Sequence, residues 1–148
     1  MKKILWIEDN PELIARFRDI IAENGWTLYE ALELCDADFC IETAPGIDEI
    51  DIIISDINMP DYDFEGQYAE YSEELYDRYG MDLYGLVWIK RFLDTNPNFP
   101  RGRIAFLSGF LDGGVIEEIR ESAPGVLTLD KLSFRMLDEL IAFISSVK

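Results

Sequence analysis

Short apolar runs alternate with amphipathic helical patterns along most of the chain. The clearest run is residues 52–54, three isoleucines that lead into Ser55 and Asp56. A short β-branched run between turn residues favours a strand that is buried on both faces. Strands that alternate with helices are joined by right-handed crossovers into a parallel sheet covered on both sides. The alternation therefore predicts an α/β fold with a doubly wound, five-stranded parallel sheet.

The predicted strands and helices follow one another regularly, apart from one long interval after the third strand. Strands are predicted at residues 4–7, 26–34, 51–55, 103–109 and 126–131. Helices are predicted at residues 11–24, 36–44, 83–95 and 113–122. A last helix is predicted to be capped by Ser133 and to carry an apolar face made of Phe134, Leu137, Leu140, Ile141 and Ile144. Residues 38–44 also fit a strand, so the order of the second strand and second helix stays open.

The charge of the chain restricts its partners. It has 30 acidic and 13 basic residues among 148, a formal net charge of −17. A field of this sign repels phosphate backbones, which argues against DNA as a partner and favours cations and basic protein surfaces. Hydrophobic residues make up 49% of the chain, which argues against disorder. The length suits a single domain over residues 1–148.

Cysteine usage and the N-terminus predict a cytoplasmic location. Cys35 and Cys40 have the spacing of no usual metal or redox pair, and the sequence has no histidine, so free thiols are expected. Glu8 and Asp9 end the N-terminal apolar run too early for a signal peptide. No run approaches the length of a membrane span, so no membrane partner is expected.

Chemically active side chains follow four of the predicted strands. Glu8 and Asp9 end the first strand, Asp56 the third, Ser108 the fourth and Lys131 the fifth. The carboxyl ends of parallel strands lie at one edge of the sheet, where open α/β folds bind ligands. Each residue alone has a simple structural explanation, such as a helix cap or a solvated strand end. Their coincidence at one edge favours a functional site.

This set of residues has a chemical logic. Three clustered carboxylates repel one another and favour binding of a cation, and oxygen ligands suit Mg²⁺. An aspartate beside a metal ion is able to attack a phosphoryl group and form an aspartyl-phosphate. A lysine then pairs with the phosphoryl oxygens as a point charge, and a serine hydroxyl donates to one of them.

The motifs WIEDNPEL, SDINMP, FLSG and the Asp-Lys pair that ends the fifth strand together resemble the receiver domain of response regulators, the phosphoacceptor module of two-component signalling. The resemblance covers the whole chain except one interval. It implies the flavodoxin-like strand order 2-1-3-4-5. It also implies a histidine kinase or phosphotransfer protein as phosphodonor, a downstream protein target, and a possible homodimer through the last helices.

The resemblance assigns a role to each residue of the set. Asp56 matches the phosphoacceptor, and Ser108 and Lys131 match the hydroxyl and lysine that contact the phosphoryl group. The implied Mg²⁺ ligands are Glu8, Asp9, Asp56 and the backbone carbonyl of Asn58.

Two positions near the expected site depart from the family pattern. Leu132 follows Lys131 where the family usually has a proline, often in a cis bond that leucine rarely adopts. Thr128 stands three residues before Lys131, where the family often has a tyrosine or phenylalanine that changes rotamer on activation. The usual coupling between hydroxyl and aromatic ring is therefore not expected.

The long interval after the third strand has some twenty residues more than receivers have there. We call residues 61–82 the acidic segment, because it contains eight acidic residues and one arginine. The segment is rich in tyrosine, and its apolar residues are spaced as on one face of a helix. These residues are Phe64, Tyr68, Tyr71, Leu75 and Tyr79. An added helix packed on the body is expected, either as an inert element or as a lid or docking surface beside Asp56.

Three functions fit the sequence. The first is a stand-alone receiver that is phosphorylated on Asp56, which the full set of site residues favours over the others. The second is a receiver-like binding module that works without phosphorylation, which Thr128 and Leu132 suggest. The third is a Mg²⁺-dependent phosphohydrolase or nuclease, but such enzymes usually have an Asp-x-Asp pair at a strand end, and here Asn58 occupies the second position.

Overall fold

A parallel β-sheet forms the centre of the computed structural model, which describes residues 1–109 and 111–148. Within these residues the sheet has five strands in the order 2-1-3-4-5, as expected. The strands are β1 (Lys3–Ile7), β2 (Thr27–Ala31), β3 (Ile52–Ser55), β4 (Ile104–Ser108) and β5 (Leu127–Asp130). The residues of β3 and β4 are all buried, which explains why these strands are continuous apolar runs in the sequence.

Helices cover both faces of the sheet. Six α-helices lie in the described residues: α1 (Pro11–Glu23), α2 (Leu34–Glu42), α3 (Gln67–Tyr79), α4 (Tyr84–Thr95), α5 (Gly113–Ser122) and α6 (Met136–Ser146). The buried side chains of α1 and α6 form one core with one face of the sheet. Those of α2, α4 and α5 form the core on the other face, which α3 also joins through Leu75. None of the described helices is both long and apolar enough to cross a membrane.

The order of the second strand and helix, left open by the sequence, is strand first. β2 pairs with β1 in parallel register, and α2 begins at Leu34, two residues before the predicted start. Glu33 and Asp36 form a reciprocal capping box at the start of α2, which explains the earlier beginning.

The predicted start of the last helix is wrong. Ser133 does not cap α6, because its hydroxyl accepts a hydrogen bond from the backbone of Arg135 in a turn, and the helix begins at Met136. Phe134 consequently lies outside the helix and is 97% exposed instead of facing the core. The buried face of α6 comprises Met136, Leu140, Phe143 and Ile144.

The acidic segment contains α3, so a helix forms where the spacing predicts one. Leu75 is fully buried, and Tyr68, Tyr71 and Tyr79 pack partly buried against the same core. Phe64 was expected on this helix but precedes it, because Gly66 adopts a left-handed backbone angle (φ 60°) just before α3 begins. Its ring packs instead against Tyr84 at the start of α4.

Candidate functional site

The site lies at the edge of the sheet where the strands end. The backbone N–H of Asp56 donates to the carbonyl of Ile7 over 2.9 Å, which extends the β1–β3 pairing by one step. The N–H of Lys131 donates to the carbonyl of Ser108 over 3.0 Å and does the same for β4 and β5. These bonds fix the backbone of Asp56 and Lys131 relative to the sheet. The side chains are therefore positioned by rigid elements.

Lys131 connects two buried carboxylates. Its Nζ lies 2.9 Å from Oδ2 of Asp56 and 2.5 Å from Oε1 of Glu8. Asp56 is 6% and Glu8 1% exposed. The peptide bond between Lys131 and Leu132 is trans, so the lysine reaches the site without the cis bond that the resemblance suggests.

Three carboxylates converge in a way that suits a metal ion. Glu8, Asp9 and Asp56 each offer an oxygen, and these atoms lie within 4.8 Å of one another. Oε1 of Glu8 is buried with Lys131 as its ion-pair partner but makes no regular hydrogen bond to the described residues. A buried oxygen of this kind, next to two other carboxylates, suits a hard divalent cation. The residues present therefore fit Mg²⁺.

A cavity of about 390 Å³ opens above these carboxylates. Its lining consists of Asp9, Asp56, Asn58, Gly109, Lys131 and Leu132. Asn58 also contacts Asp56, because its N–H donates to Oδ1 of Asp56 over 3.3 Å. Ser108 is fully buried at the end of β4, directly before Gly109. The expected site residues thus lie at this cavity or immediately beside it.

Burial and crowding shift the protonation equilibria of the site. Burial, together with the charge of Asp56, raises the pKa of Glu8 to about 7. Burial also raises the pKa of Asp56, although Lys131 opposes this. For Lys131, burial lowers the pKa, but the charges of Asp56 and Glu8 outweigh it and the net pKa is raised. The carboxylates therefore carry more negative charge than one lysine stabilises, and a divalent cation would relieve the imbalance.

Sequence reasoning missed Gly85, which packs against the backbone at Asp56 and Ile57. Its N–H donates to the carbonyl of Ile57 over 2.9 Å. A Cβ on Gly85 would lie only 1.8 Å from the carbonyl oxygen of Asp56. The available signal was a lone glycine inside an apolar helical pattern, which often marks a close backbone approach. The start of α4, which follows the acidic segment, is thus packed closely against the backbone of Asp56 through Gly85.

The structure also gives the surroundings of the two positions that depart from the family pattern. Leu132 is 80% exposed and lies on the rim of the cavity near Gly109. Thr128 is half-buried on β5, where its register partner is Phe106 of β4.

Several solved structures that superpose on this chain are receiver domains or response regulators. The receiver domain of the Francisella response regulator 1452 superposes with a TM-score of 0.69 at 22% identity, covering 99% of this chain and 96% of that one. A two-component response regulator from Clostridium difficile gives a TM-score of 0.70 at 18% identity, covering 99% and 95%. The chemotaxis protein CheY4 of Vibrio cholerae gives 0.67 at 17% identity, covering 100% and 99%.

The chain therefore has the fold of response-regulator receiver domains, as its motifs suggested. No family model matches the sequence, and no curated protein matches it. The likeness is thus one of structure, at low sequence identity.

Proposed function

We propose that the chain is a receiver that accepts a phosphoryl group on Asp56 in a Mg²⁺-dependent step. The observation that carries this proposal is the buried Asp56 carboxylate, with Lys131 Nζ at 2.9 Å and with oxygens of Glu8 and Asp9 within 4.8 Å. This is a nucleophile, a counter-cation and a metal-binding set at one edge of the sheet. We place the protein in the cytoplasm, where such signalling takes place.

The chemical step is a direct displacement. A carboxylate oxygen of Asp56 forms a bond to phosphorus while the bond from phosphorus to a donor histidine nitrogen breaks, and that nitrogen keeps the electron pair. Mg²⁺, held by Glu8, Asp9, Asp56 and the carbonyl of Asn58, would neutralise charge on the phosphoryl oxygens. The sequence contains no histidine. The phosphohistidine therefore belongs to another protein, a histidine kinase or a phosphotransfer protein.

Lys131 has two roles in this proposal. Before transfer its ammonium favours the ionised form of Asp56 and opposes the effect of burial on its pKa. After transfer it pairs with an oxygen of the new phosphoryl group, because the acyl phosphate no longer carries the carboxylate charge. The hydroxyl of Ser108 donates to a second phosphoryl oxygen. The added charge then changes binding to a downstream protein, or the phosphoryl group passes on to a histidine of another relay protein.

Intact mass spectrometry tests the proposal. Wild-type protein incubated with Mg²⁺ and acetyl phosphate should gain one adduct of ~80 Da, the mass of one phosphoryl group in place of a proton. In this reaction the phosphorus–oxygen bond to acetate breaks and acetate leaves. Asp56→Asn should gain no adduct, and Asp48→Asn, an exposed aspartate before β3, should label like wild type. Full labelling of Asp56→Asn would contradict the assignment.

A binding module that is independent of phosphorylation remains the second candidate. The ion pairs of Lys131 with both Asp56 and Glu8 favour it, since they hold the site together without a metal. Titration calorimetry with Mg²⁺ separates the two functions. A protein that neither binds Mg²⁺ nor gains the adduct would support the second candidate.

A further inference from the structure

The helix α3 lies on the outside of α4 and α5 as an additional layer. Near its beginning, the hydroxyl of Tyr68 donates to Asp94 of α4 over 2.8 Å. At its end, the hydroxyl of Tyr79 donates to the carbonyl of Gly114 at the start of α5 over 3.0 Å. The helix therefore runs antiparallel to its two neighbours and covers part of their surface.

Glu118 of α5 is the centre of this contact. It is only 6% exposed, although it bears a carboxylate. Arg78 forms an ion pair with Oε1, and the hydroxyl of Tyr71 donates to Oε2 over 2.9 Å. Tyr79 and Ser122 approach the same carboxylate at 3.4 Å. Arg78, Tyr71 and Tyr79 belong to α3, so this buried charge is compensated largely by side chains of the added helix.

The contact has a large polar share, which suits reversible association. The structure describes every residue of α3, and Leu75 is the one that is buried. When α3 leaves, water replaces the partners of Glu118 and of Tyr71, and separation also exposes Leu75 and the partly buried tyrosine rings. Interfaces between mobile parts of a chain have this polar character.

By itself α3 is a weak helix. Gly66 precedes it without a side-chain cap. Its exposed face carries Glu70, Glu73, Glu74 and Asp77 at spacings of three and four residues, which repel one another. A helix of 13 residues is marginal in water even with a favourable sequence. The order of α3 therefore depends on its contact with α4 and α5.

Two contacts relate the acidic segment to the surroundings of Asp56. A few residues after the segment ends, Gly85 of α4 packs against the carbonyl of Asp56. Tyr79 of α3 contacts Gly114 in the first turn of α5. The charges of Asp82, Asp63 and Asp61 lie near Tyr84, the residue before Gly85, since they contribute, after burial, to its raised pKa.

We propose that α3 docks reversibly on α4 and α5 through its contacts with Glu118, and that phosphorylation of Asp56 favours its release. The release step rests on the function proposed above. A phosphoryl group adds a charge of about −1.5 to −2 near a segment that is itself acidic. Release uncovers Glu118, Ser122 and the adjoining surface of α4 and α5.

Hydrogen exchange measured by mass spectrometry tests whether the contacts with Glu118 hold α3 on α4 and α5. Wild-type amides of residues 67–79 should exchange while the amides of β3 and β4 remain protected. Glu118→Gln and Tyr71→Phe should each accelerate exchange of α3 by roughly tenfold or more, the size expected for a lost hydrogen bond to a charged group. Glu117→Gln removes an exposed charge one residue away, and Tyr76→Phe removes an exposed hydroxyl of α3; both should exchange like wild type.

Arg78→Gln provides a second test of the docking if Glu118→Gln fails to fold, because Arg78 is half-exposed and its replacement leaves the core intact. Faster exchange in this variant supports the proposal. Wild-type exchange in both Arg78→Gln and Tyr71→Phe would overturn it.

The same measurement with Mg²⁺ and acetyl phosphate tests the release. Exchange of α3 should rise ~5-fold or more over Mg²⁺ alone, a typical size for coupling between sites. The increase should be absent in Asp56→Asn. An ~80 Da adduct without faster exchange would overturn the coupling while leaving the phosphoacceptor intact. Absence of the adduct would instead overturn the proposed function and the release with it, whereas the docking through Glu118 is decided by the variants.

Discussion

Two buried carboxylates in this chain have opposite surroundings. Asp56 and Glu118 are each 6% exposed, and each forms an ion pair with one basic side chain. Asp56 lies beside two more carboxylates, whereas tyrosine and serine hydroxyls surround Glu118. In the first arrangement three carboxylates share one lysine, and in the second the carboxylate is compensated within the protein. Equal burial therefore accompanies crowded negative charge at one place and a compensated charge at the other.

The largest expected effect comes from Gly85, which lies between the acidic segment and the backbone of Asp56. Gly85→Ala would place a Cβ 1.8 Å from the carbonyl oxygen of Asp56, a backbone atom that accepts a hydrogen bond from the Ser55 hydroxyl over 2.9 Å. We expect the free energy of unfolding to fall by about 3 kcal/mol and labelling of Asp56 to be lost. Urea unfolding and intact mass measure both effects.

Gly102→Ala is the control for this substitution, because nothing lies within 4 Å of the added Cβ. It should unfold and label like wild type. If Gly85→Ala were equally harmless, the start of α4 would not pack closely against the backbone of Asp56.

The next effect concerns pH and the crowded carboxylates around Asp56. Glu8 has its pKa raised from 4.5 to about 7, so the folded state binds more protons than the unfolded state between these values. The free energy of unfolding should therefore fall as the pH rises from about 4.5 to about 7, by on the order of 1–3 kcal/mol, and then level off. Urea unfolding at several pH values measures the slope.

Mg²⁺ should reduce this slope and stabilise the protein above pH 7, since it favours the ionised carboxylates. Glu8→Gln should remove most of the slope without metal. A slope that persists in Glu8→Gln would assign the titration to another group.

Much of this architecture was predictable because its determinants are local. The strands β3 and β4 are apolar runs buried on both faces, and strand ends in a parallel sheet must share one edge. That rule places Asp56, Lys131 and Glu8 at one edge, and the strand order that the resemblance implied brings them close together. No contact between distant parts of the chain had to be known.

The features that were missed depend on contacts between distant residues. Glu118 looks like a surface residue of an amphipathic helix until α3 covers it. The importance of Gly85 depends on the path of the backbone at Asp56. The start of α6 was misplaced because the turn at Ser133 competes with a helix cap formed by the same hydroxyl.

Two matched substitutions test the comparison between Asp56 and Glu118, because we expect them to change the free energy of unfolding in different directions. Asp56→Asn removes a charge that its surroundings disfavour, so the free energy of unfolding at neutral pH should stay unchanged or rise by up to about 2 kcal/mol. Glu118→Gln removes a charge that Arg78 and Tyr71 stabilise, so it should fall by about 1–3 kcal/mol. Chemical denaturation of both variants in one buffer without Mg²⁺ measures the difference. A change of the same sign in both would mean that the two carboxylates are not distinguished by their surroundings.

The smallest expected effect isolates one hydroxyl group. Tyr71→Phe leaves the ring in place and removes the hydrogen bond to Glu118, so we expect a loss of about 1.5 kcal/mol in urea unfolding. Tyr76 lies on the same helix and is 53% exposed, so Tyr76→Phe should stay within about 0.5 kcal/mol of wild type. Since the docked helix α3 is part of the native state, the loss should lower the free energy of global unfolding. This holds even though α3 also opens locally. If Tyr71→Phe were neutral while Glu118→Gln was not, Arg78 alone would hold the carboxylate, and the attachment of α3 would depend on an ion pair that is weakened by salt.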